Sequence, residues 1–186
     1  PLRRQRQMCI RDRGKEQHGH MDKVGYELYN KLLKESLGET KKESDVELDV
    51  NMDAYIPEDY ISTSSSRMDC YKQIAEITTD EDDERVTRSL EEYYGKIPRE
   101  VRNLILIAKL KAAAKKRGAV KIVVGAKKSY IELADISCLQ NGGLMDELLK
   151  RKDKISFEFS ATPVIDFSKV GNSAEDTAKY MLETVK

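Results

Sequence analysis

A change of hydrophobic period at Gly118 constrains this chain more than any other feature. From Pro98, which suits a first helical turn, apolar side chains at Val101, Leu104, Ile105, Ala108 and Ala112 fall on one face of a helix. Lys115, Lys116 and Arg117 place positive charge in the last turn, and Gly118 is the stop. Beyond it Val120, Ile122 and Val124 alternate with Lys121 and Val123, which is the period of a strand. Lys127-Lys128 makes a turn, and Tyr130 to Leu133 returns as the hairpin partner.

Further elements flank this switch. Met21 to Leu37 carries Val24, Leu28, Tyr29, Leu32, Leu33 and Leu37 as one helical stripe, and Gly38 ends it. Residues 39–45 are polar and aperiodic, hence a linker. Val46, Leu48 and Val50 alternate with Glu47 and Asp49 as a half-buried strand should. In Tyr55 to Ile61, Pro57 removes a backbone donor and pushes Ile56 out of helical geometry, so an extended bend is expected there. Ser65 or Ser66 should cap a helix running to about Ile77, with Met68, Tyr71, Ile74 and Ala75 inside. Thr79 opens the next, with Asp80, Glu81, Asp82 and Asp83 in its first turn, Val86, Leu90 and Tyr93 inside and Gly95 at its end. A helix from about Leu144 to Lys150 precedes a strand in which Ile155, Phe157 and Phe159 share a face. Ser173 to Asp176 forms a capping box before a last helix that buries Ala178, Met181, Leu182 and Val185. Helices grouped before a small, mostly antiparallel sheet indicate an α+β domain over 46–186, preceded by a separate N-terminal helix.

Charged residues make up 35% of the chain and aromatics 6%, with no tryptophan, which implies a thin core under a heavily charged surface. Without an apolar run near the roughly 20 residues that span a bilayer, no membrane association is expected, and a cytoplasmic location follows. Cys9, Cys70 and Cys138 are isolated, which argues against a zinc knuckle or a disulfide framework.

Residues 1–13 differ from the rest. They lack periodicity and are strongly basic, and Arg3 to Arg13 back-translates to one frame of a transposon-based sequencing adapter. They are therefore read as non-native, the alternative being a basic nucleic-acid-binding arm. Without Arg3, Arg4, Arg6, Arg11, Arg13 and Asp12, the chain keeps 28 basic and 32 acidic side chains, a net charge of −4 instead of 0. A mildly acidic body has no overall attraction to DNA phosphates.

Candidate chemistry is sparse. The chain contains neither the G-x-x-x-x-G-K-[ST] loop that cradles phosphates nor G-x-S-x-G. His18 and His20 are the two histidines, and a metal site there would need Glu16 or Asp22 to converge on them; a solvated loop is the simpler reading. Residues 80–84 lack the ligand alternation of a calcium loop and read as a solvated helix start. Cys70 lies on an inner stripe as a small hydrophobe. Lys115, Lys116, Arg117, Lys127 and Lys128 form a candidate basic patch without the aromatic interleaving of single-strand binders.

Two segments carry a family resemblance. GKEQHGHMDKVGYELY, Gly14 to Tyr29, is similar to the tail of the translocation motif shared by RecG and the bacterial transcription-repair coupling factor (Mfd) family, a pattern close to LGxEQxGHxxxVGFxLY. From Val46 to Ile122 the chain resembles the C-terminal regulatory domain of that family. The matching order is an acidic-apolar strand, the bend (Ala54, Tyr55, Ile56, Pro57, Tyr60, Ile61), a helix with Arg67, Tyr71 and Lys72, and a G-x-IPxxVxNLL helix with Gly95, Pro98, Asn103 and Leu104. Where the family usually has Arg-Phe-Gly, this chain has Tyr93-Tyr94-Gly95.

The resemblance implies the end of a translocation module at 14–38, the linker at 39–45 and a regulatory domain at 46–186. Gln17 and Gly19 would belong to the loop that couples nucleotide state to movement on duplex DNA. The parent would be an ATP- and Mg-dependent double-stranded DNA translocase that displaces stalled RNA polymerase and recruits UvrA. This part would carry no catalytic residue, cofactor or metal of its own; it would be the autoinhibitory domain that packs on a UvrB-like module in the same polypeptide. Two alternatives compete: a free-standing α+β module that binds protein or RNA, and a small metal-dependent hydrolase built on His18 and His20.

Overall fold

The computed structural model describes residues 46–186. The expected helix at 21–37, the linker, Gln17, Gly19, His18, His20 and residues 1–13 lie outside them. In chain order the elements are β1 (Glu47–Val50), α1 (Ser64–Ala75), α2 (Asp80–Tyr94), α3 (Arg99–Lys116), β2 (Ala119–Val124) and β3 (Tyr130–Leu133). Two 3₁₀ turns (Ile136–Leu139 and Asn141–Gly143), α4 (Leu144–Lys150), β4 (Ser156–Glu158), β5 (Val164–Asp166) and α5 (Ala174–Val185) complete it. The fold is α+β, as expected.

The sheet has the order β1-β2-β3-β5-β4, with β1 parallel to β2 and the other pairs antiparallel. Alternation along each strand becomes a row across the sheet: Leu48, Ile122, Ile131, Ile165 and Phe157 are successive partners on one face. Against that face α3 and α5 pack Ile107, Leu110, Ala114, Ala178, Met181 and Val185. A second cluster joins Ala54, Ile56 and Ile61 to α1, α2 and the first half of α3 through Tyr71, Ile74, Val86, Leu90, Val101 and Leu104. Helix α3 therefore serves two cores, one from each side. That accounts for its long buried stretch, from Val101 to Ala114.

The ends follow local chemistry. Thr79 Oγ1 accepts the Asp82 N–H at 3.1 Å while Asp82 accepts the Thr79 N–H at 3.1 Å, a reciprocal capping box for α2. Gly95 at φ +81° and Gly118 at φ +80° close α2 and α3 in the left-handed region that favours glycine. Ser173 caps α5 by accepting the Asp176 N–H at 3.1 Å.

Several expectations are corrected. Thr63, not Ser65 or Ser66, precedes α1, without a side-chain capping bond, and α1 stops at Ala75 instead of near Ile77. Tyr93 points outward, 76% exposed, and Phe159 is 61% exposed because β4 ends at Glu158. Ala112 is half-buried, the fully buried alanine of that turn being Ala114. The acidic start of α2 is exposed but not free of partners. Lys109 of α3 pairs with Asp83 and, at 3.4 Å, with Asp80, and Lys186 reaches Asp80 at 2.5 Å. Lys115 to Arg117 and Lys127-Lys128 lie at opposite ends of β2, about 20 Å apart at strand rise, so they make no single patch.

Candidate functional site

The motif residues converge on the proline bend. Pro57 cannot donate, but its carbonyl accepts the N–H groups of Tyr60 at 3.2 Å and Ile61 at 3.1 Å, closing one tight turn. The turn is held from three helices. Ile56, excluded from helical geometry by Pro57, donates its buried N–H to Tyr71 Oη on α1 at 2.9 Å. Arg67, one turn earlier on α1, donates Nη1 to the carbonyls of Ile61 at 2.9 Å and Ser62 at 3.0 Å, and Nη2 to Glu58 at 3.0 Å. That fork satisfies two carbonyls of the bend. Tyr60 donates its hydroxyl to the carbonyls of Leu90 at 3.2 Å and Gly95 at 3.3 Å, tying the turn to the end of α2. Asn103 of α3 donates Nδ2 to the Asp53 carbonyl at 2.8 Å.

The structure thus gathers the bend residues Ile56, Pro57, Tyr60 and Ile61 with Arg67, Tyr71, Gly95 and Asn103 into one hydrogen-bonded unit. Leu104 is fully buried beneath it, Tyr55 is half-buried beside it, and Pro98 precedes α3. Apart from the Arg67–Glu58 pair, these side chains direct their polar groups to backbone and so build a scaffold for the bend. Burial pushes the Tyr71 hydroxyl up from its ordinary pKa, partly offset by the Ile56 N–H, and burial likewise pushes up the Cys70 thiol. A protonated, buried thiol is no nucleophile. Among the described residues no three His, Cys, Asp or Glu side chains are grouped to hold a metal ion.

What the scaffold displays is aromatic. Tyr94, 38% exposed, lies 5.9 Å from Tyr60 and 6.4 Å from the largely exposed Tyr93, ring centre to ring centre, with Glu91 and Glu92 alongside. Periodicity places Tyr93 inside; the signal in the sequence that marks this corner is the adjacent pair Tyr93-Tyr94. Exposed, adjoining rings on a rigid backing are characteristic of protein interfaces.

Residues 50–144 match the TRCF domain family. The chain belongs to it. The matched stretch of the TRCF domain begins at the last residue of β1 and runs through the bend, the three helices and the β2–β3 hairpin to the start of α4. Among curated relatives, the transcription-repair-coupling factor of Bacillus subtilis is 35% identical over 108 residues, covering 55% of this chain and 9% of that protein. Those of Borreliella burgdorferi and Buchnera aphidicola are 28% and 30% identical, covering 74% and 84% of this chain. The chain spans 13% and 24% of their lengths. A crystal structure of the C-terminal domain of transcription-repair coupling factor superposes with a TM-score of 0.63, covering 78% of this chain and 94% of that one at 19% identity. That likeness establishes a common fold.

Proposed function

We propose that this TRCF domain is the regulatory, autoinhibitory part of an ATP-dependent double-stranded DNA translocase that couples transcription to nucleotide excision repair. The parent would displace stalled RNA polymerase and recruit UvrA in the cytoplasm, with ATP and Mg held by a motor elsewhere in its sequence. The domain itself would act by association, packing on a UvrB-like module of the same polypeptide and covering the surface that UvrA needs. The observation that carries this reading is the Tyr60–Tyr93–Tyr94 corner, an exposed aromatic face on a frame whose own polar groups are internally satisfied. The names of the relatives and the shared fold support it.

The physics is mass action. A tethered domain faces its partner at high effective concentration, so modest intrinsic affinity keeps the face covered. Uncovering needs differential binding of only a few kcal/mol between the closed and open states.

The test is titration of this chain into a separately expressed UvrB-like module by calorimetry, with ATPase activity measured in parallel. Saturable 1:1 binding is expected, weakened about tenfold by Tyr93→Ala with Tyr94→Ala, a loss typical of exposed aromatic anchors. No ATP turnover by the chain alone is expected. Binding unaffected by both substitutions, or no binding, would refute the proposal; binding to an unrelated protein or RNA instead would favour a free-standing interaction module.

A further inference from the structure

Among the described residues, the helices pack on one face of the sheet. On the other, among the described residues, no helix packs, and the strand register sets out two rows of partners. One runs Glu47, Lys121, Glu132, Val164, Glu158; the other runs Asp49, Val123, Tyr130, Asp166, Ser156. Five carboxylates therefore stand on this face against Lys121 and Lys128. Lys121 is engaged by Glu47 at 2.7 Å, and Lys128 lies 4.9 Å over the Tyr130 ring. Glu158 has no ion-pair partner among the described residues, Glu132 is the cross-strand neighbour of Lys121, and the two carboxylates flank Val164 from either side in register. Two strand spacings separate them, about 10 Å, which is room for one cationic head group between two carboxylates. Here lies a groove of about 430 Å³ lined by Lys128, Tyr130, Glu132, Glu158, Val164 and Asp166.

The geometry points to this uncovered face as a docking surface for an arginine- or lysine-bearing segment of a partner protein, seated across the strands with a cationic head between Glu132 and Glu158. Charge selects the occupant, since nucleic-acid phosphates and acidic peptides are repelled by the excess of carboxylates. Shape agrees: Val123 and Val164 are apolar positions on this face, over which the aliphatic stems of Arg or Lys can lie while their heads reach the flanking carboxylates. These positions lie on the sheet and not at the tyrosine corner of α2, so this face can be engaged independently of the proposed inhibitory contact.

The full chain, labelled with nitrogen-15, is titrated with a synthetic peptide of alternating arginine and alanine, about eight residues long, enough to cross the roughly 19 Å of five strands. Amide shifts are expected on β2, β3, β5 and β4, centred on Val164. Glu132→Gln with Glu158→Gln should weaken binding about tenfold, as removal of two interfacial charge pairs does. Glu81→Gln with Glu84→Gln on α2 should leave it unchanged. All four side chains are surface groups, and an unaltered melting temperature confirms that the variants fold. Absence of binding, shifts centred on α2, or equal weakening by both pairs of substitutions would overturn the inference. So would a single-stranded oligonucleotide that shifts the same amides.

Discussion

The bond from Ile56 N–H to Tyr71 Oη isolates what holds the bend, because Tyr71→Phe removes the acceptor and leaves the ring. Ile56 and Tyr71 are 4% and 3% exposed, so no water replaces the lost oxygen. An N–H stranded in this way costs about 1–3 kcal/mol. The retained ring stays within the buried cluster that includes Ile74 and Leu104, so no large cavity adds to that figure. For a chain of this length each kcal/mol lowers the melting temperature by about 2–4 °C, which predicts a fall of about 2–12 °C. Urea unfolding followed by far-UV circular dichroism should show the same loss in midpoint at unchanged slope. Hydrogen exchange should show the Ile56 amide losing protection while α3 amides keep theirs. A melting temperature within about 1 °C of the parent, with Ile56 still protected, would refute the idea that this hydroxyl anchors the bend.

Two further substitutions probe the frame. Asp82 is held down to about 2 from 3.8, first by the Thr79 hydroxyl and then by the Thr78 N–H. A depressed carboxylate stabilises above its unfolded value and loses that contribution as pH falls through its folded one. Stability should therefore drop between pH 3.8 and about 2, and Asp82→Asn should flatten that part of the urea-midpoint profile; an unchanged profile would contradict the capping role. At Gly118, φ is +80° and an added Cβ would lie 2.4 Å from Cys138 Sγ. Gly118→Ala should cost about 2–5 kcal/mol from left-handed strain plus overpacking, and Cys138→Ala in the same chain should recover only the steric share. Urea midpoints measure both, and an undiminished midpoint for the single variant would contradict it.

Much of this frame was legible because it is written locally. Thr79 and Asp82 are three residues apart, Gly95 and Gly118 need no partner to mark an end, and the β2–β3 hairpin spans one short turn. The bend too could be read from Pro57 alone. The start of α1 was ambiguous because Thr63, Ser64, Ser65 and Ser66 are all suited to a cap and none of the local rules separates them. Strand β5 escaped because Val164 to Asp166 is too short to show a period and its pairing with β3 joins residues over thirty apart. The roles of Arg67 and Tyr71 were invisible for a related reason. Their acceptors and donors are backbone atoms of a turn that meets α1 only after folding. Tyr93 shows the limit of periodicity, which identifies the apolar stripe of α2 but not the point where packing neighbours end.

The account turns on masking, and competition tests it most directly. UvrA is titrated against an immobilised UvrB-like module in the presence of increasing concentrations of this chain. The apparent affinity of UvrA should weaken in proportion to chain concentration, with no complex containing all three. A stable ternary assembly in which UvrA binds with undiminished affinity would contradict the account.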